Sequence, residues 1–564
     1  MSPKEFKLQL DTQAYKGTVS VNTGLFIGGK WVDPVEGGTI EYVLSTPSIA
    51  ASTDQEPLVA LSTLVRPLAD HFDTRRQQLT RRTAIVTATG QLITAVSAGT
   101  EKDVDIAVDF AKKAYKTSWG LKVPGIQRAK YLQKLADLIE ANLDELAALE
   151  SLNVGESYST HATQPGPLTE DAVGKPFAMS KHMDVTFSIQ IVRYIAALAD
   201  KIKGQTIETS EQKFAYTRRE PYGVVGAITP WNGPILMLCA KIAPAVAAGN
   251  VVVLKPSEIT PLTALKVADL INEAGFPPGV INIVNGLGST VGSAISLHPQ
   301  ISRIAFTGST LTGRKIQEAS AKSNLKVVTL ELGGKSPNIV FDDCDLEQAA
   351  KWSARGVFFN MGQACIAGSR LFVQEGIYDK FVAVFQEESK VWSQHTGDPF
   401  ENGVEHGPQI SQLQFDRVMG YIDSAKKDGA TILTGGSRHG DTGYFIQPTI
   451  ITDTRPDMKI IKEEIFGPVA SIIKFKTEEE VIEMANDTAY GLASGVFTKD
   501  NARATRVAHA LEAGTAWVNC YMWADLALPF GGYKQSGIGR EGGLDALDEY
   551  TQVKGVHVNL GMRI

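Results

Sequence analysis

The apolar positions of this chain change rhythm part-way along. Over 103–116, DVDIAVDFAKKAYK, and 126–151, IQRAKYLQKLADLIEANLDELAALES, they recur at intervals of three and four, which predicts helices with one buried face. From residue 223 short runs that are apolar almost throughout take over: GVVGAIT (223–229), VVVLK (251–255), VINIV (280–284), RIAF (303–306) and LKVVTLEL (325–332). Helical patterns fill the gaps near 234–248, 261–274, 289–298 and 310–321. A strand apolar on both faces must be covered on both, so the alternation predicts an α/β fold built on a parallel sheet. A second α/β block follows from about 335 to 535, with strands such as PNIVF (337–341), RLFVQ (370–374) and SGVFT (494–498).

Sheets of this kind bind ligands beyond the carboxyl ends of their strands, and polar residues gather there: TPWN (229–232), KPSE (255–258), GLGS (286–289) and TGST (307–310). The run GSTLTG (308–313) opens a helix whose free N–H groups can hold a pyrophosphate, although the same loop-to-helix pattern is common without any ligand. Two stretches break the pattern. Residues 45–89 carry no sustained period, and 154–172 interrupt what otherwise reads ALESLN joined to VGKPFAMSK. Both read as loops or disordered insertions. The arms 203–221 and 550–561 read as edge strands, and unpaired edges seek partners, so a homodimer or homotetramer is expected.

Composition narrows the function classes. At 564 residues, 43% hydrophobic and 21% charged, the chain can bury about two or three cores. A net charge of -7 with no basic run argues against a nucleic-acid surface or a polybasic membrane anchor. Cys239, Cys344, Cys365 and Cys520 lie far apart with no CxxC spacing, which suggests a reducing compartment and neither a disulfide framework nor a zinc site. The nine histidines show no paired ligand spacing, so no metal is expected. MSPKEFKLQLDTQAYKG has no apolar targeting core, no run approaches membrane-spanning length, and the cytoplasm is the expected location.

Seven motifs then stand in order: ITPWNGP, KPSE, FTGSTLTG, ELGGKSPN, NMGQACIAGSR, EEIFGPV and PFGGYKQSG. Together they resemble the aldehyde dehydrogenase superfamily, from about residue 24 to the end apart from the two interrupting stretches. The resemblance implies a Rossmann-like NAD(P)-binding domain (1–202 with 222–333), an α/β catalytic domain (334–535) and a small β oligomerisation unit from the two arms. It also implies an NAD-dependent oxidation of a small-molecule aldehyde to its acid. The alternative is a non-catalytic or poorly folded chain that keeps the fold despite the insertions.

The resemblance assigns roles that the residue types alone leave open. A lone cysteine is most often a small buried hydrophobe; by family position Cys365 is the nucleophile, adding to the carbonyl so that the resulting oxyanion can expel hydride. A nearby cationic cofactor ring favours its thiolate. Asn232, which on its own reads equally as part of a turn, supplies an oxyanion donor with the Cys365 N–H. Glu331, where an isolated glutamate is usually just solvated, activates the water that hydrolyses the thioester. Lys255 and Glu258 reach the adenosine ribose, and the carboxylate there favours NAD over NADP, leaving dual use open. Ile228, Thr229, Pro230, Trp231, Ser257, Gly288, Phe306, Gly308, Ser309, Thr312 and Leu332 complete the expected cofactor contacts. Glu464 and Phe466 resemble the pair that holds the nicotinamide ribose and ring. Phe187, Trp231, Phe359, Met522, Trp523 and Phe530 fall where the family lines its substrate entrance, and small Gly233 and Ala240 suggest a wide pocket.

Overall fold

The computed structural model describes residues 5–37, 39–40, 83–86, 92–154, 174–441 and 443–564. Most of 45–89 and of 154–172 lies outside the described residues. One piece inside them departs from the expected loop: Thr83–Val86 is a strand, antiparallel to Leu92–Ser97, which also pairs Thr39–Ile40.

Five parallel strands form the heart of the first sheet. Val224–Ile228 is its centre, flanked by Val251–Lys255 on one side and Arg303–Thr307 on the other. The chain runs outward from the centre to Ile281–Ile283, then returns to Arg303–Thr307 and Val327–Glu331. The carboxyl end of Val224–Ile228 is therefore the point where strand order reverses, and a crevice opens there between neighbouring loops. Antiparallel edges close the sheet: Leu25–Ile27 with Lys30–Val32 on one side, Gly537–Ile538 on the other. All five residues of Val224–Ile228 and of Val251–Lys255 are buried, as continuous apolar runs require. Gly226 in the central strand cannot be larger, since a Cβ there would lie 2.6 Å from the Ile295 side chain of a covering helix.

The second sheet has seven strands in the order Thr431–Thr434, Thr449–Thr452, Val469–Phe475, Arg370–Gln374, Pro337–Val340, Ala493–Phe497 and Thr515–Val518, antiparallel only at the first pair. Its apolar clusters are separate from that of the first sheet. The link between the two is short: Glu331 ends a strand of the first sheet and Pro337 begins one of the second. Beyond residue 535 the chain returns to the first core, where Ala546, Leu547 and Tyr550 are buried.

Elements match the apolar rhythm most closely inside the sheets, where VVVLK and RLFVQ are strands over the full predicted length. The long helix predicted over 126–151 is instead two, Gly125–Ala141 and Leu143–Asn153. Asn142 separates them because its side-chain amide takes the Leu138 carbonyl (2.8 Å), competing with the helical ladder. The pattern at 289–298 becomes a π-turn, Gly288–Gly292, and a short helix, Ser293–Leu297. The two arms pair with each other, Lys213–Pro221 against Thr551–Asn559, with Thr206–Ser210 as a third antiparallel strand. Their inner edges are thus satisfied within the chain, and only the outer edges remain open. Among the described residues no helix is long and apolar enough to cross a membrane.

Candidate active site

Cys365 follows the helix Leu346–Phe358 through a turn that most residues avoid. Asn360 and Met361 hold left-handed backbone angles (φ 50° and 55°) and Gly362 a third (φ 70°). Glycine is required at 362, because a Cβ there would fall 2.1 Å from the Gly467 carbonyl. The cysteine loop is thereby pressed against the segment that carries Glu464 and Phe466. Gln363 fixes it further, its Oε1 accepting from the Ile410 N–H (2.9 Å).

Asn232 reaches this loop from the first sheet. Its Nδ2 donates to the Gln363 carbonyl (3.0 Å), and Asn360 Nδ2 donates to the Asn232 carbonyl (3.2 Å) and to the Gln363 carbonyl (3.0 Å). Glu331, the last residue of its strand, is buried, and among the described residues one of its carboxylate oxygens has no hydrogen-bond partner. Burial holds its pKa well above the ordinary value; Glu541 adds to this, while Lys241 and Arg540 oppose it. Gly333 and Gly334, which follow Leu332, let other segments come close. A Cβ on Gly333 would lie 2.3 Å from Glu464 Oε2, and one on Gly334 would lie 2.3 Å from the Cys365 carbonyl. Gly334 N–H also donates to Glu464 Oε1 (3.0 Å), and burial raises the Glu464 carboxyl to about 7.

Pro230, Trp231, Asn232, Thr307, Gly308, Ser309, Glu331, Leu332, Cys365, Glu464 and Phe466 line one cavity of about 140 Å³ beyond the strand-order reversal. Phe466, itself left-handed (φ 59°), meets the Trp231 ring edge-on at 5.2 Å. Phe306 packs its ring beneath Gly308, and Leu332 packs against Gly313 of the helix Thr310–Lys322. Ser309 caps that helix by accepting from the Thr312 N–H (3.3 Å). At the neighbouring strand end, beyond Ile228, Thr229 and the buried Ser257, Lys255 Nζ lies 2.7 Å from Glu258 Oε2, and Gly288 N–H donates to Glu258 Oε1 (3.3 Å). Burial works to raise the Glu258 pKa, but the Lys255 ammonium and these donors prevail and hold it below the ordinary range. The thiol of Cys365 behaves oppositely. Although the residue is only half-buried, enclosure by the cavity walls, then Glu464 and Glu331, push its pKa up to about 12.

Residues 74–168 and 161–556 match the aldehyde dehydrogenase family. An aldehyde dehydrogenase of Agaricus bisporus is 52% identical over the whole of both chains, and one of Emericella nidulans 55% identical over 84% of this chain and 90% of its own. A Bacillus cereus aldehyde dehydrogenase solved in complex with NAD+ superimposes with a TM-score of 0.83 at 41% identity, covering 96% of this chain and 97% of the other. The chain belongs to the aldehyde dehydrogenase family. It is an oxidoreductase with the α/β fold of that family.

In this aldehyde dehydrogenase a second cavity, about 230 Å³, lies on the other side of the cysteine loop, with Ile366 in its wall and Met237 shared between the two. Phe187, Met522, Trp523 and Phe530 line it, as does Ala240. Trp231 and Phe359 do not. Trp231 is held on the first cavity by Phe466, and the Phe359 ring lies under the Arg355 guanidinium (5.2 Å). Although Leu236 beside it lines the second cavity, Gly233 is not among the lining residues. A Cβ there would make ordinary contact with Leu236 and Asp184, since the residue caps the helix Pro234–Ala247 from within the core.

Several groups around the site escaped the sequence reading. Lys241 pairs with Glu541 at 2.6 Å beside Glu331, and Gln363, Gln414, Arg417 and Lys175 surround the two loops. Lys241 left a trace: it is the single charge in ILMLCAKIAPAVAAG. Gln363 stands inside the motif NMGQACIAGSR, while Gln414, Arg417, Lys175 and Glu541 lie outside the seven motifs.

Proposed function

We propose that the chain oxidises an apolar aldehyde to its carboxylic acid with NAD+, through a thiohemiacetal and a thioester on Cys365. The observation that carries this reading is the convergence of Cys365, Asn232 and Glu331 on one cavity at the strand-order reversal. The thiol gives its proton to solvent, and the thiolate sulfur bonds the aldehyde carbon, leaving the charge on the former carbonyl oxygen. Asn232 Nδ2 and the Cys365 N–H stabilise that oxyanion. A bound nicotinamide supplies the hydride acceptor that turns the adduct into a thioester. Glu331 then takes a proton from water, which attacks the thioester and releases the acid. Its oxygen without a partner among the described residues is open to a water, and burial, which raises its pKa, strengthens it as a base once it is deprotonated.

The residues of the first cavity fit a dinucleotide. The helix Thr310–Lys322 offers its N-terminus at the strand ends, the Lys255–Glu258 pair presents an ionised carboxylate toward ribose hydroxyls and against a 2′-phosphate, and Glu464 with Phe466 closes the far wall. On this reading 1–202 with 222–333 is the cofactor domain, 334–535 the catalytic domain, and 203–221 with 550–561 the oligomerisation arms. Val553, Ile207 and Phe214 are exposed on those arms, which favours a homodimer or homotetramer; light scattering tests it. Four free thiols fit the cytoplasm. The decisive assay follows NADH absorbance with a panel of aldehydes, NAD and NADP being supplied separately and Cys365→Ala serving as control. Equal signal from the control would defeat the reading.

A further inference from the structure

Beneath the turn that carries Asn232 lies a buried ionic cluster that none of the seven motifs contains. Lys175 is 2% exposed, and its Nζ donates to Asp184 Oδ2 (2.8 Å) and to the Asn232 carbonyl (3.0 Å). Glu150, from the helix Leu143–Asn153, is wholly buried, and its Oε1 accepts from the Ile235 N–H (3.2 Å) in the first turn of Pro234–Ala247. Three ionisable groups from separate segments thus converge on the backbone of residues 232–235. Buried charges are costly, and an apolar filler would hold the same elements together at least as well. What an apolar filler lacks is a donor for the Asn232 carbonyl.

That carbonyl takes two donors, the Lys175 ammonium and Asn360 Nδ2, while the Asn232 side chain is tied to the Gln363 carbonyl, two residues before Cys365. With both ends held, the orientation of the Asn232 amide depends on where its peptide is pinned. We propose that Lys175 is a positioning residue for the oxyanion donor: its ammonium, paired with Asp184, fixes the Asn232 peptide and so aims the Asn232 side-chain amide at the aldehyde oxygen on Cys365. The inference rests on the reading of Asn232 as that donor.

Removing Lys175 alone would strand Asp184, so the test removes both charges in Lys175→Met/Asp184→Asn. It is compared with Asp184→Asn, Asn232→Ala and the triple variant. The readouts are kcat/KM for a simple aliphatic aldehyde at saturating NAD, NAD affinity by fluorescence quenching, and the thermal midpoint. Asn232→Ala is expected to lower kcat/KM about a hundredfold, and the charge-pair variant about tenfold with NAD affinity unchanged. Asp184→Asn, which keeps the ammonium on the Asn232 carbonyl, loses less than about threefold. In the Asn232→Ala background, removing the pair costs less than about twofold, because the two act as one unit. Losses that multiply, or a charge-pair variant with full kcat/KM, would overturn the role of Lys175 while leaving Asn232 in place. Full activity in Asn232→Ala would instead overturn the oxyanion reading beneath it. If the charge-pair variant does not fold, Lys175→Gln/Asp184→Asn carries the same test, since the amides can pair but the shorter arm no longer reaches the Asn232 carbonyl.

Discussion

Two cavities meet at the cysteine loop, and their walls differ in kind. The one holding Cys365 is walled by strand ends, glycines and two buried carboxyls; the one behind Ile366 is walled by Phe187, Met522, Trp523, Phe530 and other apolar side chains. The first depends on backbone segments that approach closely at Gly333, beside the left-handed Phe466. The second is built from side chains alone, and its shape can change without moving the sheet. On the proposed function, chemistry falls to the rigid wall and substrate choice to the replaceable one.

The largest expected effect falls on the rigid side. Cys365→Ala should lower turnover by about 10⁴-fold or more while NAD still binds, checked by NADH formation together with fluorescence titration. Turnover surviving that change would move the chemistry elsewhere. Glu331→Gln should slow steady-state turnover by about 10²- to 10³-fold and leave one rapid equivalent of NADH per site, because the thioester forms but is not hydrolysed; stopped-flow absorbance separates the two phases, and loss of the rapid phase as well would reassign Glu331. On the replaceable side, Ala240→Phe should raise KM for aromatic aldehydes by about tenfold or more while acetaldehyde is little affected. An equal penalty for both would mean that Ala240 touches the chemistry.

Protonation gives a further test of the same contrast. On the proposed function the Cys365 thiol, pushed up to about 12, acts as a nucleophile and the Glu331 carboxyl, held well above its ordinary value, as a base, each in its deprotonated form. Each raised pKa means that the working form is lost as pH falls, so the rate should drop steadily on acidification, by about tenfold per pH unit where one proton must leave. Glu331→Gln should flatten the hydrolytic part of that profile. A wild-type profile that is flat below neutral pH would contradict the buried carboxyl as base. The smallest effect is expected at Glu258→Gln, which should improve kcat/KM for NADP by about tenfold at modest cost with NAD, since the repelling charge is gone. Unchanged cofactor preference would place the selectivity elsewhere.

Legibility followed the same divide. The strands of the first sheet could be read because burial on both faces writes them as apolar runs, and the polar tetrapeptides after them mark where ligands gather. The helix break at Asn142 could not, because one side-chain amide decided it against a continuous apolar period. The orientation of the Phe359 and Trp231 rings could not be read either, since an aromatic residue near a motif says nothing of which way its ring turns; in the structure Arg355 lies over Phe359 and Phe466 meets Trp231 on the first cavity. Glu464 and the paired glycines were visible as motifs, yet the reason for those glycines is the close approach of Glu464 and the Cys365 loop.

By itself the sequence determined the layered architecture, the position of the strand ends and the identity of Cys365 as the candidate nucleophile, because these depend on local periodicity and on motifs contiguous in the chain. Only the tertiary structure decided that Lys175, Asp184, Lys241 and Glu541 stand beside the reacting groups. Lys241 and Glu541 are 300 residues apart in the chain, and no local pattern encodes a contact whose existence depends on how distant segments pack.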